Sequence, residues 1–170
     1  MALILSCRGY TPEFGDDCWL APNATIVGDV LCGEGCSFWF SSVVRGDVNK
    51  IRMGNHVNVQ DGAVIHCTYE KTTVDIGNNV SIGHNAIVHG ATIADDVLIG
   101  MGAIVMDGCE IGSGVIVAAG AVMLENTIAE AGYIYAGVPA KKIKPVPENL
   151  KEGEIHRIAN NYNMYAKWFK

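Results

Sequence analysis

The stretch Ile76-Gly77-Asn78-Asn79-Val80-Ser81, Ile82-Gly83-His84-Asn85-Ala86-Ile87, Val88-His89-Gly90-Ala91-Thr92, Ile93-Ala94-Asp95-Asp96-Val97-Leu98, Ile99-Gly100-Met101-Gly102-Ala103-Ile104 decides the fold. An aliphatic residue opens each unit, glycine often follows it, and the fifth residue is small. The same register extends outward in both directions. Upstream it opens at Leu20, Ile26, Cys32, Phe38 and Val44, then at Met53, Val59 and Ile65; downstream it opens at Val105, Ile111 and Val117. A period of six with one inward aliphatic residue per unit predicts a parallel β-helix of three short strands per coil. The first position fills the core, the small fifth position lets the chain turn near the axis, and glycine supplies the backbone freedom of corners. Cys36 and Cys109 occupy the small position and read as core filler.

The period breaks in three places. Asn49 to Arg52 adds about three residues, Lys71 to Asp75 adds five, and Val88 to Thr92 is one residue short. After Val122 the repeat is expected to end. These features divide a single domain into a capping strand and turn (1–14), the β-helix (15–131), an exit loop (132–152) punctuated by Pro139, Pro145 and Pro147, and a C-terminal α-helix (153–170). Ile155, Ile158, Tyr162, Tyr165 and Phe169 give that last segment its amphipathic spacing.

Composition narrows the function classes. The chain has 170 residues, 49% of them hydrophobic, and a formal net charge of -6 with no block of like charges. That argues against a nucleic-acid surface or an anionic membrane surface as partner. No apolar run is long enough to span a bilayer. The opening MALILSCRGY lacks the basic region of a secretory signal. Six cysteines without a CxxC pair suit free thiols in a reducing cytoplasm.

Placed on the coils, the polar residues of Val44 to His89 form two columns. Arg45, His66 and His89 share the second position of a hexad. His66 and His89 are 23 residues apart, and removing the five-residue insertion leaves one coil, so the two rings are vertical neighbours. His84 stands in another column, one coil above Asp61 and beside Gln60. Five residues of extended chain separate it from His89, on the order of 16 Å of contour. A closed trimer with a heterologous interface brings column one of one subunit against column two of the next. His66 and His89 then meet the neighbour's His84, which gives three histidines and an open position, the pattern of a catalytic zinc site.

The repeat resembles that of the hexapeptide-repeat proteins, whose β-helices are left-handed, opposite to the usual hand of parallel crossovers. The segment Trp39 to His89, with Arg45-Gly46-Asp47, Asn58-Val59-Gln60-Asp61, Ile65-His66, Gly83-His84 and Val88-His89, resembles the γ-class carbonic anhydrase family. So do Gly137 to Pro145 and Asn160-Asn161-Tyr162. The resemblance implies a homotrimer that reversibly hydrates carbon dioxide to bicarbonate, with His66, His84 and His89 as metal ligands. Carbonic anhydrases are the best-known case of a three-histidine zinc site. Zn2+ is the nominal cofactor, and Fe2+ or Co2+ also suits imidazole. By the same resemblance Arg45 and Asp47 form an intersubunit ion pair. Gln60 and Asp61 orient water or bicarbonate, Asn58 lies nearby, and Tyr162 lines the pocket. Trp39 reads as trimer packing, and Cys67 as pointing away from the metal.

Two departures stand out. Val48 occupies a position where hydratases of the family carry glutamate, and the loop Cys67 to Thr73 is short, with Glu70 its sole acid. The family's proton shuttle therefore has no evident counterpart. Two alternatives stay open: a metal-binding trimer with little or no hydratase activity, and an acyltransferase or thioester hydrolase on the same fold.

Overall fold

The computed structural model describes residues 1–169. The chain is a parallel β-helix with one helical segment at its C-terminal end. Three inward columns run through it. One stacks Ile26, Val44, Ile65, Val88, Val105 and Met123. The second stacks Leu20, Phe38, Val59, Ile82, Ile99, Val117 and Tyr135. The third stacks Phe14, Cys32, Met53, Ile76, Ile93, Ile111 and Ala129. Most of these side chains are fully buried, as are the small residues Ala63, Ala86, Ala103 and Ala121 at the corners. Burying an aliphatic side chain of this size stabilises the fold by about 1.5–3 kcal/mol, which is why one inward residue per hexad suffices once coils stack.

Two backbone features allow the stacking. A Cβ on Gly83 would lie 2.7 Å from the Met101 nitrogen in the next coil, so the glycine is required by close approach. Corner residues adopt the left-handed conformation, among them Asn79, Asn85, Asp96 and Asn126, a conformation asparagine and aspartate tolerate.

The structure departs from the sequence reading at the ends. The coil continues past Val122, because Met123, Ala129 and Tyr135 extend the three columns. The segment expected as an exit loop holds an antiparallel hairpin, Tyr133–Gly137 against Ala140–Pro145, with a cis Val138–Pro139 bond at its turn. Its first strand adds to the sheet beside Ile116–Val117, an edge that would otherwise be unpaired. The C-terminal helical segment starts at Glu148, ahead of the expected Gly153, and passes through a π-helical turn over Lys151–His156 before the α-helix Arg157–Ala166. Lys170, the last residue of the expected helix, lies outside the described residues. The capping strand is present as Leu3–Leu5, paired in parallel with Thr25–Val27.

Trp39 does not await a neighbouring subunit. It packs within the chain against Trp19 at 4.7 Å, Tyr162 at 4.9 Å and Phe169 at 6.0 Å between ring centroids. This aromatic seat fixes the C-terminal helix over the face that carries Asn58, Gln60 and His84.

Candidate metal centre

The first column is built by the parallel pairing of Val64–His66 with Ile87–His89, which sets His89 directly over His66. Alternation along each strand turns Ile65 and Val88 inward and the two imidazoles outward. Nδ1 of His66 lies 3.1 Å from Nε2 of His89. Two nitrogens bound to one tetrahedral zinc at 2.0–2.1 Å stand about 3.3 Å apart, so the pair fits two ligands of one ion. The remaining nitrogen of each ring meets a carboxylate. His66 Nε2 is 3.1 Å from Asp47 Oδ1, and His89 Nδ1 is 2.6 Å from Asp107 Oδ1. Such carboxylate backing fixes tautomer and ring orientation in metal-binding histidines.

The electrostatics agree with that role. Burial, assisted by the Arg45 charge, outweighs Asp47 and lowers the His66 pKa, which keeps the ring neutral at physiological pH. Burial pushes the Asp47 carboxyl up, but hydrogen bonds from Arg45 and His66 prevail and hold it below its ordinary value. At Asp107 burial likewise opposes ionisation, and the bonds from Thr68 and His89 win.

Asp107 was not singled out from the sequence. It is a buried acid at a corner of the next coil. Its Oδ2 accepts from Thr68 Oγ1 at 2.6 Å, and its Oδ1 lies 3.4 Å from Thr72 Oγ1. Asn49, also passed over, donates through Nδ2 to the carbonyls of Thr68 at 3.1 Å and Thr72 at 2.8 Å. The loop after His66 is thus pinned from two sides. Glu70 sits exposed at its tip with φ 53°. Cys67 is buried, and burial raises its thiol to about 11, in keeping with the expected inward direction. Arg45 pairs with Asp47 within the chain, whereas the resemblance had implied an intersubunit pair; the two residues share one face of a strand, two positions apart.

The second column stands on a different corner. His84 Nδ1 is 2.9 Å from Asp61 Oδ2, one coil below, and His84 Nε2 is 3.2 Å from the Tyr162 hydroxyl on the C-terminal helix. Burial first, then the Asp61 charge, pushes the Tyr162 phenol up to about 12, so it is a neutral group able to donate. Gln60 and Asn58 are buried beside them. Gln60 Nε2 donates to Asn58 Oδ1 at 3.0 Å, and Asn58 Nδ2 donates to Ser81 Oγ at 2.8 Å. A cavity of about 470 Å³ opens here, bordered by Gln60, His84, Met101, Asn161, Tyr162 and Tyr165. Within one chain His84 does not join the His66–His89 pair: among the described residues, the one place where three His, Cys, Asp or Glu ligand atoms fall within 4.8 Å of one another is Cys18, Cys32 and Cys36. No helix is long and apolar enough to cross a membrane.

Comparison with known proteins adds four findings. The family model described as Bacterial transferase hexapeptide (six repeats) matches residues 90–124. The chain is 49% identical over 148 residues to a protein of Methanocaldococcus jannaschii named probable carbonic anhydrase, covering 87% of this chain and 90% of that one. It is 38% identical over 162 residues to the mitochondrial gamma carbonic anhydrase 2 of Arabidopsis thaliana, covering 91% of this chain and 56% of the longer plant protein. A solved structure described as a hexapeptide transferase family protein from Anaplasma phagocytophilum superposes with a TM-score of 0.93 at 33% identity, over 99% of this chain and 98% of that one. With its left-handed parallel β-helix, its hexads and these relatives, the chain belongs to the γ-class carbonic anhydrase-like family of hexapeptide-repeat proteins.

Proposed function

We propose that the chain forms a homotrimer that reversibly hydrates carbon dioxide to bicarbonate at metal centres shared between neighbouring copies. His66 and His89 of one copy and His84 of the next would hold the cation. The observation that carries this reading is the His66–His89 pair, 3.1 Å apart nitrogen to nitrogen, with each second nitrogen held by a carboxylate. Zn2+ is the nominal ion, and Fe2+ or Co2+ would suit the same imidazoles. When bound, such a cation supplies Lewis acidity toward an oxygen of water or substrate.

The chain's own residues do the rest. Asp47 and Asp107 hold the first two rings, and Asp61 holds His84 from Nδ1. Tyr162 occupies His84 Nε2 in the single chain, so that hydroxyl yields the nitrogen on assembly. Gln60, locked through Asn58 to Ser81, presents its side-chain amide where a small polar substrate is oriented. Arg45 neutralises Asp47 and places a fixed cation at the mouth of the column. At the two positions considered for proton export, Val48 is apolar and Glu70 stands at the exposed tip of a pinned loop. Turnover therefore depends on external buffer.

Stopped-flow carbon dioxide hydration on protein with counted metal tests this reading. One histidine-bound metal per chain, hydration lost on chelation, and a rate that climbs with buffer concentration are expected. Full metal with no hydration would contradict the activity while leaving the site. The cavity of about 470 Å³ under the C-terminal helix favours one second reading, acyl transfer or thioester hydrolysis, and acyl-CoA turnover in the same preparation would select it.

A further inference from the structure

We propose that Cys18, Cys32 and Cys36 form a second cation site, separate from the histidines, that takes a thiophilic d10 ion such as Zn2+ or Cu+. The coil itself brings them together. Trp19 pairs with Ser37, so Cys18 lies directly beneath Cys36, one coil away. Phe14 pairs with Cys32, which precedes Cys36 around the same corner. The three sulfurs all fall within 4.8 Å of one another, and Cys18 Sγ is 3.9 Å from Cys32 Sγ. Two thiolates on one zinc with bonds near 2.3 Å stand about 3.8 Å apart; a disulfide would need about 2.05 Å. None of the six cysteines is joined in a disulfide.

Core packing explains one thiol at a small inward position, as at Cys109, but does not call for three in contact. The surroundings also suit an ion. A cavity of about 140 Å³ reaches Cys36 from outside, between Asp17, His56 and Lys167, and provides an entry path and room for a fourth ligand. Lys167 on its wall offsets the net negative charge of a divalent ion on three thiolates. Cys36 donates to the Gly54 carbonyl at 3.2 Å, and that carbonyl also accepts from the Gly33 N–H at 3.2 Å, so loss of the thiol proton leaves it paired. Soft thiolates select this class of ion over hard cations.

The test is titration of the reduced, metal-stripped, full-length protein with Cd2+, followed by the ultraviolet thiolate-to-cadmium charge-transfer band, to which histidine nitrogens do not contribute. The expected result is one thiolate-bound Cd2+ per chain, lost in Cys18→Ser and retained in Cys7→Ser, Cys67→Ser, Cys109→Ser and His66→Ala. Absence of the band, its survival in Cys18→Ser, or its loss in His66→Ala would overturn the proposal. Should Cys18→Ser fail to fold, the wild-type protein decides: Cd2+ should slow alkylation of Cys18 and leave Cys7 unchanged, and equal rates with and without Cd2+ would overturn it.

Discussion

Replacing Asp107 by asparagine isolates the carboxylate that stands behind His89. The side chain keeps its shape and can still accept from His89 Nδ1, now 2.6 Å away, but it loses the charge that polarises the ring. The carboxylate is 12% exposed, so solvent screens it little. Removing a carboxylate behind a ligating histidine typically weakens metal binding about 10- to 100-fold, or about 1.4–2.7 kcal/mol. Asparagine also asks the Thr68 hydroxyl to reverse its role against the second oxygen, at a cost to folding of about 1 kcal/mol. Chelator competition for Zn2+ reads the first quantity, and urea unfolding of the metal-stripped protein reads the second. The two also part with pH. The folded-state pKa of Asp107 lies below its unfolded value, so its contribution to stability is complete above about pH 4 and is lost as pH falls through the folded value. Asp107→Asn should therefore flatten the acid limb of stability. Zinc affinity within twofold of wild type would refute the assignment of Asp107 as the residue that positions His89.

Three further outcomes are expected. Tyr162→Phe removes the 3.2 Å bond to His84 Nε2 and should lower the stability of the metal-stripped chain by about 0.5–1.5 kcal/mol, while zinc affinity is kept or improved; a tenfold loss would show that the hydroxyl supports the bound state. Ile65→Ala, between Val44 and Val88 in a fully buried column, should cost about 2–5 kcal/mol in chemical unfolding and shift the two flanking strands that carry Arg45 and His89. Gly83→Ala forces a Cβ to within 2.7 Å of the Met101 nitrogen and should destabilise the coil beside His84 more than Gly153→Ala, where no neighbour lies within 4 Å, as thermal unfolding of the two variants would show.

What could be read from the sequence follows from which forces act locally. Inward aliphatic positions such as Ile82 and Ile99 repeat because sterics at each coil are the same, so register alone places His89 over His66 and His84 over Asp61. Asp107 escaped because the shortened turn Val88 to Thr92 shifts the register to 17 residues, which sets Met106 opposite His89 and leaves Asp107 to reach the ring from the corner beyond the strand. The sulfur cluster was half visible: Cys18 and Cys36 lie one coil apart, yet Cys32 joins them only around a corner whose side-chain directions a linear pattern does not show. The hairpin at Tyr133–Gly137 and Ala140–Pro145 lacks clean alternation, and its strands form because an open sheet edge is there to receive them. Trp39 looked like an interface residue because the helix that covers it, bearing Tyr162 and Phe169, comes from the far end of the chain.

The shared centre is tested most directly by mixing two inactive chains. His84→Ala and His66→Ala should each lose the histidine-bound metal as pure trimers. After unfolding and refolding together in equal amounts, an interface regains all three histidines only where a His84→Ala copy offers its first column to a His66→Ala copy. Random assembly makes that about a quarter of interfaces, so histidine-bound metal and hydration should both return to about a quarter of the wild-type level. No recovery of metal in verified mixed trimers would contradict the placement of His84 opposite His66 and His89.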